Sequence, residues 1–364
     1  MSNNDKINLR DSLNIIWVIA SKDIYDALKN RVVVAMIIML SVMVLMPKML
    51  PLIFEQPQMI LPIYDLGNSS LTLEQIDNDD ITVQKIRSDQ ELRTALCGSM
   101  YPEIGLQLPG GFDQILNSGT PIELQGFVCW SKRYQALELQ PRLEEMLSQS
   151  LGQPVGIRLD GNIVYPPREG GLFLSMAVIN SVLLMLVMGV LLVPSLLYEE
   201  KETKTMQALL VSPASIGQVV IGKALAGSFY ILVTAVMIFA ISWMEVIHWD
   251  VAILFVVSGG VFSVAVGLVL GSFFEKQQDM IGWMSVLILL MVGAMLVKML
   301  GMELPAFLQS LLPWMPSVAL AELCRTVYLE VVPVAQMWKN LGIVLIMSLS
   351  LYALVIWKVR RSDR

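Results

Sequence analysis

The stretch "YEEKETKTMQALLVSPASIGQVVIGKALAG", Tyr198 to Gly227, runs from a charged cluster to the start of an apolar segment, Ala224 to Met244, whose spacing predicts a membrane span. Within it Gly217, Gly222 and Lys223 have the G-x-x-x-x-G-K spacing of a phosphate-cradling loop. Such a loop follows a buried strand, ends in Ser or Thr to hold magnesium, and lies in water where nucleotide reaches it. Here Ala224 takes the hydroxyl position and the chain enters the apolar segment directly. No nucleotide site is expected. Lys223 reads instead as a cationic anchor at the mouth of a span, and the glycines as positions of close packing.

Composition points the same way. Of 364 residues, 55% are hydrophobic and only 15% charged, against about 25% charged in soluble domains. Mean hydropathy is +0.64. The chain has 24 methionines and one histidine, His248, which leaves little material for histidine-based metal or acid-base chemistry.

A span needs about 20 apolar residues. The sequence predicts six: Val32–Phe54, Leu172–Tyr198, Ala224–Met244, Val251–Phe274, Met280–Val297 and Asn340–Trp357. Pro47, Lys48 and Pro51 interrupt the far end of the first, where Lys48 can snorkel to headgroups. A further uncharged stretch, residues 304–321, carries Pro305, Pro313 and Pro316 and reads as a re-entrant pair of short helices. Gly267 and Gly271 form a G-x-x-x-G pair that suits packing within the bundle or dimerisation. Asn180, Ser181, Thr234 and Ser263 are the notable polar groups inside the spans, so proton coupling is not expected.

Positive flanks stay in the cytoplasm. Lys22, Lys29 and Arg31, then Lys201, Lys204 and Lys223, then Lys358, Arg360 and Arg361 all fall on one side in a six-span arrangement, with both termini cytoplasmic. The first apolar run begins only at Val32 and no small-residue cleavage site follows, so the opening segment is expected to be retained. In residues 1–31, Leu13, Ile16, Trp17, Ala20, Ile24 and Leu28 recur at helical spacing, opposite Asp11, Lys22, Asp26 and Lys29. That pattern predicts a helix lying in the membrane interface.

Polar residues return over residues 55–171, where a folded α/β domain outside the membrane is expected. "DITVQKI" and "PIELQGFV" alternate as strands; "SDQELRTAL" opens on a capping serine, and "SKRYQALELQPRLEEMLSQSL" reads as a helix. Asp77, Asp79 and Asp80 form a solvated turn or a cation site. Cys97 and Cys129 share this compartment and can pair if it is oxidising, which leaves Cys324 alone.

The opening stretch resembles the segment joining the second and third spans of type-2 ABC exporter permeases. There the usual run is acidic-basic-acidic, glycine-threonine, glutamate, two leucines, a proline and a terminal glycine-lysine. Glu200, Lys201, Glu202, Thr205, Leu209, Leu210, Pro213, Gly222 and Lys223 match in order, while Lys204 and Gln207 depart from the pattern. "EIGLQLPGGFDQILNSGTPIEL", with Pro109, Gly111 and Phe112, is similar to the family's extracytoplasmic segment. "LLPWMPSVALAELCRTVYLE", with Pro316 and Arg325, is similar to its proline-rich stretch before the last span.

The resemblance implies a mainly helical, polytopic fold. Its parts are a first span at residues 32–54, a five-helix membrane domain at 172–358 and a cytoplasmic tail at 359–364. It implies a non-catalytic permease subunit with no cofactor of its own, ATP and magnesium being bound by a separate cytoplasmic ATPase. A second permease subunit, identical or homologous, would complete the membrane part. Coupling would pass through Glu199, Glu200, Lys201, Glu202, Thr203, Lys204, Thr205 and Met206. Membrane lipid is an expected partner and nucleic acid is not. A receptor or scaffold with an outer ligand-binding domain is the alternative reading. No H-E-x-x-H or G-x-S-x-G motif supports a membrane hydrolase.

Overall fold

The computed structural model describes residues 9–29, 31–53, 59–67, 69, 76–77, 81–99, 101, 103–118, 121–159, 161–166, 172–202, 216–274, 277–302 and 304–362. The chain begins with α1 (Leu9–Lys29) and α2 (Arg31–Ile53). The side chains of Pro47, Lys48 and Pro51 lie outside the described set, as do Asn78, Asp79 and Asp80. Asp77 accepts a hydrogen bond from the Val83 amide at 3.2 Å. Among the described residues no group of three His, Cys, Asp or Glu is placed to hold a metal.

An α/β unit follows, built in the order β1 (Met59–Asp65), β2 (Ile81–Ile86), α3 (Asp89–Gly98), β3 (Gly105–Leu108), α4 (Phe112–Asn117), β4 (Ile122–Cys129), α5 (Arg133–Leu151), β5 (Val155–Arg158) and β6 (Ile163–Val164). The strands lie in the order β2-β1-β3-β4-β5, with β6 beside β4. All pairings are parallel except β3 with β4. Alternation puts Leu61, Ile63, Leu106, Leu124 and Ile157 in one core with Leu143 and Leu147 of α5. Ser88 caps α3 by accepting from the Glu91 amide, while the Glu91 carboxylate accepts from the Arg87 amide. Pro109 ends β3, Gly111 turns the chain with φ of 76°, and Phe112 drops fully buried into the core. A side chain at Gly111 would be strained, because that φ favours glycine. Cys97 at the end of α3 is bonded to Cys129 at the end of β4, with S–S 2.00 Å and Cα–Cα 5.2 Å. Cys324 is free and buried.

The described residues that follow are mainly helical: α6 (Leu172–Glu202), α7 (Ile216–Ile241), α8 (Trp249–Phe273), α9 (Gln277–Met299), α10 (Ala306–Leu311), α11 (Pro316–Thr326) and α12 (Val334–Ser362). Five of these, α6, α7, α8, α9 and α12, are long and apolar enough to cross a membrane. A helix satisfies its own backbone polar groups, which hydrocarbon requires. Pro305 precedes α10, Pro313 sits in a tight turn over Leu312–Trp314, and Pro316 starts α11, so the proline-rich stretch is broken into short helices. Helices α6 and α8 form the buried centre, and α9 and α12 are more exposed.

The centre is close-packed through small residues. A Cβ on Gly189 of α6 would lie 2.3 Å from the Ser263 Cβ of α8, and one on Gly267 would lie 2.3 Å from the Gly189 carbonyl. Gly267 therefore packs inside the bundle. Ser181, Thr234 and Ser263 donate to carbonyls one turn back on their own helices, the usual way a hydroxyl is satisfied in an apolar surrounding. Asn180 instead crosses from α6 to α2, donating to the Met43 carbonyl at 3.2 Å.

Candidate functional site

Gly222 and Lys223 lie where α1, the end of α6 and the start of α7 meet. Helix α7 starts at Ile216, so Gly217, Gly222 and Lys223 lie on one continuous helix. Lys223, expected as a cationic anchor at the mouth of a span, is 1% exposed and pairs with Asp23 of α1 at 3.1 Å. Its ammonium also donates to the Leu196 carbonyl of α6 at 2.9 Å. The span expected from Ala224 thus begins earlier, because α1 covers this face of α7 and supplies the counter-charge.

Gly222 makes that cover possible. A Cβ there would meet Ile19 Cγ2 at 2.8 Å and the Ile16 carbonyl at 3.3 Å. Around the pair, Gln218 Nε2 donates to Ser12 Oγ at 2.7 Å, and the Tyr230 hydroxyl donates to the Ile24 carbonyl. Ala20, Asp23 and Ala27 form the buried stripe of α1. Leu13, Trp17 and Leu28 of the predicted apolar face remain exposed, on the sector beside that stripe. An apolar sector left open next to apolar spans suits a lipid interface.

Of the eight predicted coupling residues, Glu199, Glu200, Lys201 and Glu202 form the last turn of α6, with side chains outside the described set. Thr203, Lys204, Thr205 and Met206 lie outside the described residues, as do Leu209, Leu210 and Pro213. Arg325 stands elsewhere, buried on α11, and donates to Ser175 Oγ near the start of α6 at 3.2 Å. Pro316 opens the same helix. Pro109, Gly111 and Phe112 shape the turn after β3.

A second polar cluster, unmarked by any motif, joins the α/β unit to the loop between α7 and α8. Lys132 donates to the carbonyls of Ser99 and Tyr101. Burial lowers its pKa to about 8, against the opposing pull of Glu103 and Glu245. Burial raises the Glu103 carboxyl above the ordinary glutamate value, opposed by the hydrogen bond from Ser99 and by Lys132. Beside them Arg133 Nη1 donates to the Trp130 carbonyl at 2.6 Å and to the Met244 carbonyl at 2.9 Å. His248, in the same loop, sits 3.3 Å from the Glu330 carbonyl and ties α8 to the chain before α12.

The family model of the ABC-2 family transporter proteins matches residues 32–357. The chain belongs to the ABC-2 transporter family. A comparison with curated proteins finds no match. Family membership and the membrane-length helices make this ABC-2 chain a multi-pass transmembrane permease. The match takes in the α/β unit as well as the bundle, and starts just after α1.

Proposed function

We propose that this permease is the membrane-spanning subunit of an ATP-driven exporter, moved by ATP hydrolysis on a separate cytoplasmic subunit. The observation that carries the reading is the ABC-2 family match over residues 32–357. In this arrangement α2 is the first of six spans, α10 and α11 form a re-entrant pair, and both termini are cytoplasmic. Lysine and arginine at 22, 29, 31, 201, 204, 223, 358, 360 and 361 then lie on the cytoplasmic side, as positive flanks favour. The α/β unit of residues 55–171 stands outside the cell membrane. Its Cys97–Cys129 bond supports that side, since disulfides persist in oxidising compartments.

The ATPase docks on Glu199 to Met206, and a second permease subunit completes the transport path. Movement of the α6 end reaches α1 and α7 together, because Lys223 holds Asp23 and the Leu196 carbonyl at once. Replacing Glu200 and Glu202 together by lysine tests the docking contact. Like charges across a docked interface cost several kcal/mol. Expression and membrane insertion are expected to persist while copurification of the ATPase and transport-linked hydrolysis fall. Full assembly and activity in the double variant would remove these carboxylates from the contact.

A further inference from the structure

We infer that the first turn of α5 is a second membrane contact, with Tyr134 and Leu137 resting in the phospholipid headgroup layer beside the α7–α8 loop. The inference rests on α7 and α8 being spans. Their adjoining ends, Ile241 and Trp249, then mark one face of the bilayer, and the loop between them lies at headgroup level. Arg133 fixes α5 to that loop by its bond to the Met244 carbonyl. The same guanidinium lies 4.5 Å from the Tyr134 ring centroid, which keeps that ring beside the loop.

Tyr134 is 49% and Leu137 55% exposed, and Trp243 and Met244 of the loop and Trp249 at the start of α8 are exposed as well. Together they extend the exposed apolar surface of the spans onto the α/β unit. Leu137 lies three residues beyond Tyr134, about 4.5 Å along the helix, within a headgroup layer of roughly 5–8 Å on each side. The exposed positions of α5 are Tyr134, Gln135, Leu137, Glu138, Pro141, Arg142, Glu145 and Gln149, so its exposed large apolar side chains both fall within the first five residues. Placing these two at one end of the helix suits a helix whose start meets an interface. Tyr and Trp suit this layer because each carries an apolar ring and a polar edge. Lipid is chosen over a second protein because the patch is continuous with the surface that hydrocarbon already covers.

Spin labels on single cysteines in the full chain test this, with Cys324→Ala and the Cys97–Cys129 bond intact. The labels sit at Tyr134→Cys, Leu137→Cys, Glu145→Cys and, as a mid-span control, Val257→Cys. The protein is reconstituted in phosphatidylcholine–phosphatidylglycerol vesicles. Collision with oxygen and with a water-soluble nickel chelate reports depth. The expected result is severalfold lower nickel access at positions 134 and 137 than at 145, with oxygen access retained. Nickel access at both positions equal to that at 145, with Val257 still oxygen-rich, overturns the inference and leaves the spans standing. Shielding from both reagents, with broadening between labels, overturns it in favour of a second copy of the chain. An aqueous signature at Val257 overturns the spanning reading beneath it.

Discussion

Lys132 carries a charge into a place with little water, and its protonation reports that. Its pKa is about 8 instead of the ordinary 10.5. Between those values the unfolded chain holds the proton and the folded chain has released it, so the unfolded state binds more protons and stability rises with pH. The contribution of Lys132 is therefore poorest below about pH 8 and improves as pH climbs toward 10.5. Glu103 acts in another window: raised by burial, it favours the folded state at acid pH, and that gain declines as pH rises above 4.5 through its folded-state value. Thermal unfolding of the full chain beside Lys132→Met isolates the first effect. The difference in midpoint should move in favour of the unsubstituted protein between about pH 8 and pH 10.5. A difference independent of pH over that range would contradict the burial argument. Nothing in "SKRYQAL" separates Lys132 from Arg133 by sequence. One is buried among carbonyls and the other reaches the loop between two spans.

At the scale of elements, the contact of α1 with α7 includes an ion pair with both partners nearly inaccessible, beside the Gln218–Ser12 and Tyr230–Ile24 hydrogen bonds. Removing one partner leaves a buried charge uncompensated, at a cost of about 3–5 kcal/mol, whereas replacing both by apolar groups is often close to neutral. Lys223→Met and Asp23→Leu alone should each release α1, seen as faster proteolysis of the amino-terminal segment in membranes. The two together should restore protection. Equal loss in single and double variants would mean that packing at Gly222, and not the charge pair, holds the helix. The long apolar runs were legible because a span leaves little else in the sequence. The strands β2 and β4 were legible from alternation and α3 from its cap. By contrast β1, β3, β5 and β6 gave no usable pattern: β1 contains Pro62, and β3, β5 and β6 have four residues or fewer. The site was legible in part. Gly222 and Lys223 stood out by motif, but Lys223 reads only as a cationic anchor at the mouth of a span until α1 is folded over it. Asp23 carries no motif at all.

For the whole molecule, a disulfide-bonded α/β unit and a helical bundle meet at a polar junction, Arg133 to Met244, while the ion pair of α1 and α7 lies toward the opposite end of α7. Helix α7 runs between these two junctions and packs along α6 and α8, so a displacement at one end has a continuous path to the other. Under the proposed function the driving reaction is supplied by a separate subunit, and the G-x-x-x-x-G-K residues are built into helix α7 itself. ATP turnover by the purified chain, reconstituted alone in lipid, measures this directly. No turnover above that of protein-free vesicles is expected, and the same result for the Asp23→Leu, Lys223→Met double variant. Appreciable hydrolysis by the lone chain that disappears in the double variant would contradict it, and would return Lys223 to a nucleotide site.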